Sequence, residues 1–341
     1  MSPKQPPVAT NIPGLANGRL SRAPGKAARP DRLLTALLAV AVLGVVLQIT
    51  VGGVVRVTGS GLGCPDWPLC HGSIIPVFRD YHVALEWSHR ATGTAVGLTL
   101  IAATARALFT KPRDRTVLWG VSGTLALTAV VGGIGAAVVL TELSPSLRTL
   151  HLALAEGVVL IAAFTWAAST YAPEPGTDGA GSREFRLVAI AGVLVLVSLL
   201  SGSYAVWRGA GAVCPSWPLC GGPIVPASAL TWIHVAHRVL AGLGAVLALA
   251  AAHKAYWSAG APRALKQAAL AVLVLVVAQV IIGAANPWSG FDQWARALHL
   301  SLGTMLWLAL IVTGLLILRP ALRVSGRHSA SAPDPVEAAS Q

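Results

Sequence analysis

The chain has 341 residues, 55% of them hydrophobic and 11% charged, and a formal net charge of +12. A soluble domain carries about 25% charged residues, so composition places the chain in the membrane class and excludes an ordinary soluble enzyme. The basic excess does not make it a nucleic-acid binder, because its Lys and Arg fall in short clusters between apolar runs and not in one basic domain.

Residues 1–32 are rich in proline and basic residues, with Asp31 the only acid. They are expected to form a disordered cytoplasmic tail. No apolar h-region precedes the first span, so a cleaved signal peptide is not expected. Eight apolar runs follow, near 33–55, 87–109, 117–140, 150–170, 187–207, 232–252, 267–286 and 297–318. Each approaches or exceeds the roughly 20 residues a bilayer-spanning helix needs. The expected fold is therefore an all-α integral membrane protein of eight transmembrane helices. Residues 171–186 read as a cytoplasmic linker and 319–341 as a second cytoplasmic tail. Of the 25 Lys and Arg, only Arg56, Arg79, Arg90, Arg148, Arg208, Arg238 and Arg296 fall on the side of the first loop. The positive-inside rule then puts both termini in the cytoplasm of a multi-pass cell-membrane protein, with the cysteine loops on the outer face.

The chain repeats itself. CPDWPLC at 64–70 returns as CPSWPLC at 214–220, and RTLHL at 148–152 returns as RALHL at 296–300. His89-Arg90 matches His237-Arg238, and Gly135-Ala136-Ala137 matches Gly283-Ala284-Ala285. Four spans separate the copies, and an even number returns the chain to the same side. The halves, 33–170 and 187–318, are thus expected to be parallel-repeat four-helix bundles related by an axis along the membrane normal.

Four of the nine histidines occur as repeat pairs: His89 with His237, and His151 with His299. Each is placed in about the first turn of an even-numbered span, so the two in each half share one depth near the outer surface. Interhelical hydrogen bonding is one reading. Two pairs at matched depth favour the other, bis-histidine ligation of a heme in each half. Gly52-Gly53, Gly132-Gly133, Gly135 and Gly283 on the odd spans allow either close helix packing or approach of a flat ligand. Arg90/Arg238, Arg148/Arg296 and, loosely, Arg56/Arg208 form repeat-related pairs on the outer side, suited to heme propionates.

The cysteines lie in pairs within the outer loops, Cys64 with Cys70 and Cys214 with Cys220. Either a structural staple or a redox-active dithiol fits the first pair, and a staple fits the second. The halves differ beside the histidines. Glu86 stands three residues before His89, on the same helical face, whereas His234 stands before His237. Glu86 is a base, a stabiliser of a developing cation, or simply the salt-bridge partner of Arg90. His234 is an alternative ligand to His237, although the repeat favours His237.

The stretches GGVVRVTGSGLGCPDWPLCHG (52–72), EWSHRATG (86–93) and HVAHR (234–238), with the His151 and His299 segments, resemble the heme A synthase family over about 33–318. The resemblance implies a membrane oxidoreductase that turns a methyl group of heme O into the formyl group of heme A by successive hydroxylations, its oxygen taken from water. His89 and His151 would flank the substrate heme O, and His237 and His299 would hold a heme b iron. Glu86 matches the family's essential glutamate, and Cys64 and Cys70 match a cysteine pair its first loop often carries. Membrane lipid, heme O synthase, terminal oxidase assembly factors and a quinone or other electron acceptor are the implied partners. The competing reading is a diheme b-type cytochrome that oxidises quinol and leaves heme unmodified.

Overall fold

The computed structural model describes residues 31–110, 114–170, 183–221, 226 and 228–318. The tails expected at the two ends of the chain, and most of the expected linker, lie outside the described residues. Within them the chain forms α1 (Arg32–Val57), a short 3-10 turn (Ser60–Leu62), α2 (Tyr81–Phe109), α3 (Arg115–Leu140), α4 (Pro145–Thr170), α5 (Arg183–Trp207), α6 (Ala229–Tyr256), α7 (Arg263–Trp288) and α8 (Gln293–Ile317). All eight α-helices are long and apolar enough to cross a membrane.

The helices overrun their apolar stretches, chiefly at the N-terminal ends of the even-numbered ones. Polar caps account for this. The Asp80 carboxylate accepts from the His82 and Val83 N–H groups at 2.8 and 3.1 Å, so α2 starts six residues before its apolar run. Ser228 caps Thr231 N at 3.2 Å, Asp292 caps Gln293 N at 2.5 Å, and Pro145 occupies the first position of α4. α5 likewise begins at Arg183, inside the segment expected as a linker; its first turn is charged, and Glu184 lies 4.0 Å from Lys254 of α6.

The caps also set where the histidines fall along their helices. His89 and His237 are the ninth residues of α2 and α6, and His151 and His299 the seventh of α4 and α8. At 1.5 Å per residue they sit about 9–12 Å inside the helices and not in the first turn. The matched positions on repeat-related helices are unchanged.

Within the first half α1 packs on α2 and α4, and α3 on α2 and α4; in the second, α5 packs on α6 and α8, and α7 on α6 and α8. The halves meet where α1 touches α8, α4 touches α5, and α4 touches α8. Exchanging the halves converts the first contact into the second and leaves the third unchanged, as a two-fold relation requires. The α4–α8 contact therefore lies on the pseudo-axis. In their most apolar windows α8, α4 and α1 are 56, 44 and 39% buried against 22% for the other five, which identifies them as the central helices.

Candidate heme sites

Each of the four histidines rests on a glycine of the preceding odd helix. A Cβ at Gly52 would come 2.8 Å from His89 Cε1, and one at Gly202 2.7 Å from His237 Cε1. Gly135 and Gly283 stand in the same relation to His151 and His299, at 3.2 Å each. A side chain at Gly52 or Gly202 would displace the imidazole, and one at Gly135 or Gly283 would press on it. Gly52, Gly135 and Gly283 thus have a specific neighbour; Gly53 abuts Leu300, and Gly132 and Gly133 face open space.

In the C-terminal half His237 and His299 face each other with ring centroids 6.4 Å apart and planes at 89°. A metal–imidazole bond of about 2 Å puts two rings on opposite sides of one metal with centroids about 6 Å apart, so this pair fits a single iron between them. The Ser198 carbonyl and the Ser201 hydroxyl lie 3.1 and 3.0 Å from His237 Nδ1. With Nδ1 so engaged, Nε2 is left to point at a metal. His299 is held from behind by Gln279, whose Nε2 donates to its carbonyl at 3.0 Å. His299 Nδ1 is buried and makes no hydrogen bond. In the N-terminal half the same is true of His151 Nδ1. Orphaned buried ring nitrogens in both halves are consistent with sites built for a ligand.

His89 differs from His237. Gln48 of α1 donates to the His89 carbonyl at 2.9 Å and lies 3.2 and 3.4 Å from its two ring nitrogens. Thr92 in turn donates to Gln48 Oε1. The repeat register places Ser198 and Leu240 at the positions of Gln48 and Thr92, so this amide network belongs to one half only. Sequence reasoning missed it, since it depends on pairing α1 with α2. The signal available was an uncharged polar residue in mid-span.

Glu86 is buried and takes the salt bridge to Arg90, Nε to Oε1 at 2.9 Å. Arg90 also donates to the carbonyls of Cys64, Asp66 and Leu69, each at 2.7 Å. Arg238 does the same in the other half, to Cys214 at 3.2 Å, Ser216 at 2.7 Å, and Pro218 and Leu219 at 3.0 Å each. Both arginines, expected at propionates, are instead committed to clamping the cysteine loops. His234 donates from Nδ1 to the Ala210 carbonyl at 2.8 Å and so ties α6 to the segment that follows α5.

The loops are closed by disulfides Cys64–Cys70 and Cys214–Cys220, with Cα separations of 4.6 and 4.4 Å. The first has its own small core of Cys64, Cys70 and Val83 against Trp87, whose Nε1 donates to the Ile74 carbonyl at 2.8 Å. Asp66 accepts from the N–H groups of Gly72 and His71 at 2.7 and 2.6 Å. The Gly72 bond, more than the His71 one, holds its carboxyl below the usual range.

Three other arginines converge where the halves meet. The Arg148 guanidinium lies 3.5 Å from the centroid of the Trp207 ring, and that of Arg56 lies 5.2 Å from it. Arg296 donates to the Val57 carbonyl at 3.4 Å, and Arg56 is within electrostatic reach of both Arg148 and Arg296. Arg148 Nε, Arg296 Nε and Trp207 Nε1 are buried without partners. Crowded cations with idle donors form a site for anions such as carboxylates. Arg208 is not among them. Equivalent glycines at 52 and 202, and left-handed ones at 59 and 209 (φ 71° and 77°), fix an offset of 150 here. That register sets Val206, not Arg208, opposite Arg56, and Arg208 is exposed.

The chain matches the family model of COX15-CtaA, cytochrome oxidase assembly protein, over residues 35–84 and 77–311. It belongs to that family. Among curated relatives, it is 30% identical over 279 residues to a heme A synthase of Symbiobacterium thermophilum, covering 76% of this chain and 88% of that one. It is 27% identical over 329 residues to a heme A synthase of Sphingopyxis alaskensis, covering 82% and 90%. A third heme A synthase, from Exiguobacterium sibiricum, is 31% identical over 222 residues, covering 62% and 72%. Family membership and eight spanning helices make this a multi-pass membrane protein. The matched region contains all four paired histidines, Glu86 and both disulfide loops.

Proposed function

We propose that the chain is a heme A synthase, an oxidoreductase that converts the methyl group of heme O into the formyl group of heme A. The observation that carries the reading is an asymmetry. Of the two repeat-related histidine sites, only the N-terminal one has a buried carboxylate, Glu86, one helical turn from a proposed ligand histidine. The relatives' activity favours this reading over a diheme cytochrome that leaves heme unmodified.

In this reading His89 and His151 position the substrate heme O, and His237 and His299 hold a resident heme b. When bound, heme b supplies reversible one-electron transfer. Conversion of methyl to formyl takes one water and releases four electrons and four protons, in successive hydroxylations. Glu86 accepts a proton from that water or offsets positive charge developing on the substrate. Arg90 fixes the carboxylate while gripping the disulfide loop, so loop and base move as one unit. Gln48, lying against both ring nitrogens of His89, competes for the ligand and keeps the substrate site exchangeable. His237, braced through Nδ1, suits a permanent occupant. Arg56, Arg148 and Arg296 take the propionates, and a quinone or another acceptor receives the electrons.

The Lys and Arg distribution and the loop disulfides support cytoplasmic termini and outward cysteine loops. We likewise read 33–170 as the substrate half and 187–318 as the heme b half. The test is to purify the protein from cells supplied with heme O and to chromatograph its extracted hemes. Heme A or a hydroxylated intermediate is the expected result. Glu86→Ala should retain both hemes with its heme O unconverted, and unmodified heme alone from the wild type would overturn the reading.

A further inference from the structure

A second carboxyl group lies at the centre of the molecule and has no part in the chemistry above. Glu156 of α4 is fully buried, at 0% exposure. Its Oε1 accepts from the Thr304 hydroxyl of α8 at 2.6 Å, and its Oε2 has no partner. Trp307 Nε1 of α8 donates to its backbone carbonyl at 3.3 Å. Glu156 and Thr304 are separated by the same 148 residues that separate His151 from His299. They are therefore repeat-equivalent positions, and they meet on the pseudo-two-fold axis. Each stands five residues beyond its helix's histidine, about 7.5 Å further along the helix. The carboxyl thus sits between the two heme sites and deeper than both.

A carboxyl group here is costly, since no cation offsets it. From α8 it is faced by Thr304 and Trp307, and among the described residues no charged or titratable side chain of α1, α3, α5 or α8 acts on it. Accepting one threonine hydroxyl does not require an acid; an amide would serve. Ionisable groups kept at such depth ordinarily move charge.

We propose that Glu156 is a proton-exchanging group tied to electron transfer between the halves. Its Oε2 binds one proton from solvent when one electron enters the C-terminal heme site, and releases it when that electron leaves. The electron comes from methyl oxidation in the N-terminal half, so charge and protons balance. Adding a lone negative charge to a low-dielectric interior is expensive, and a proton taken up nearby offsets it. This inference rests on the reading that His237 and His299 hold a resident heme.

The experiment is a redox titration of that heme, followed by its absorption spectrum in the purified full-length protein between about pH 6 and pH 8. The wild-type midpoint should fall as pH rises. Glu156→Gln should keep its heme and show a midpoint independent of pH. A flat wild-type curve, or the same slope in Glu156→Gln, overturns the proposal. Should Glu156→Gln fail to fold, Thr304→Val keeps the acid and removes its donor. It should shift the pH at which the slope appears, and an unshifted curve overturns the proposal. A preparation without a bis-histidine heme spectrum defeats the heme-site reading itself, which separates that failure from this one.

Discussion

The N-terminal and C-terminal halves share a plan and differ in what surrounds one ligand. Both set a histidine on glycine at the ninth residue of one helix and the seventh of another, and both clamp a disulfide loop with an arginine. Around His89 stand Gln48, Glu86 and Thr92; around His237 stand Ser198, His234 and Leu240. The first set offers a carboxylate and a competing amide. The second offers a brace and no carboxylate. Duplication alone would give two equal sites, so in the proposed function the few positions where the copies diverge carry the difference between holding a heme and changing it.

The strongest way to break the comparison is to remove that carboxylate. Glu86→Ala should lower heme O conversion about 10²-fold or more with both hemes retained, as expected for loss of a general base. His234→Ala, at the equivalent position, should leave conversion within a few-fold; equal losses would make both residues structural. Next come the glycines. Gly202→Ala should weaken heme retention in the C-terminal half about 10- to 100-fold, because it pushes His237 off its bracing partners. Gly283→Ala, with 3.2 Å of clearance instead of 2.7 Å, should cost less. Heme content per polypeptide after purification checks both.

A smaller effect sharpens the role of the loops. Arg90 links the Cys64–Cys70 loop to Glu86, whereas Arg238 links its loop to no acid. Cys64→Ala should therefore slow conversion more than Cys214→Ala, and equal effects would mark both disulfides as staples. The smallest effect concerns Asp66. Its folded pKa is depressed below the ordinary 3.8, so its hold on the loop is complete above that value and is lost only as pH falls through the lower folded value. Exchange of the Gly72 amide hydrogen should stay protected from neutral pH to about pH 4, and Asp66→Asn should lose that protection throughout.

Much of this was legible in the sequence because duplication writes geometry as a constant offset. An interval of 148 residues linked His151 to His299 without any knowledge of packing. The same interval links Glu156 to Thr304, a pair that self-comparison does not single out because the second partner is not an acid. What the offset does not carry is which helices touch. Gln48 against His89, and Arg56 and Arg148 against Trp207, depend on pairings of α1 with α2 and of one half with the other. The arginines show the limit most clearly. All six looked alike as outer cations, yet Arg90 and Arg238 spend their donors on loop carbonyls and Arg208 lies exposed. Arg56, Arg148 and Arg296 converge with donors to spare. The histidines stand near the start of their apolar runs but beyond the first turn of their helices, because apolar runs mark the hydrocarbon core while polar caps decide where a helix begins.

In the proposed division of labour, one half works on heme and the other carries electrons. Extracted hemes of His89→Ala and His237→Ala, each purified from cells supplied with heme O, test it most directly. His89→Ala should yield heme b alone, and His237→Ala should yield unconverted heme O without heme b. Heme A recovered from His89→Ala would contradict it.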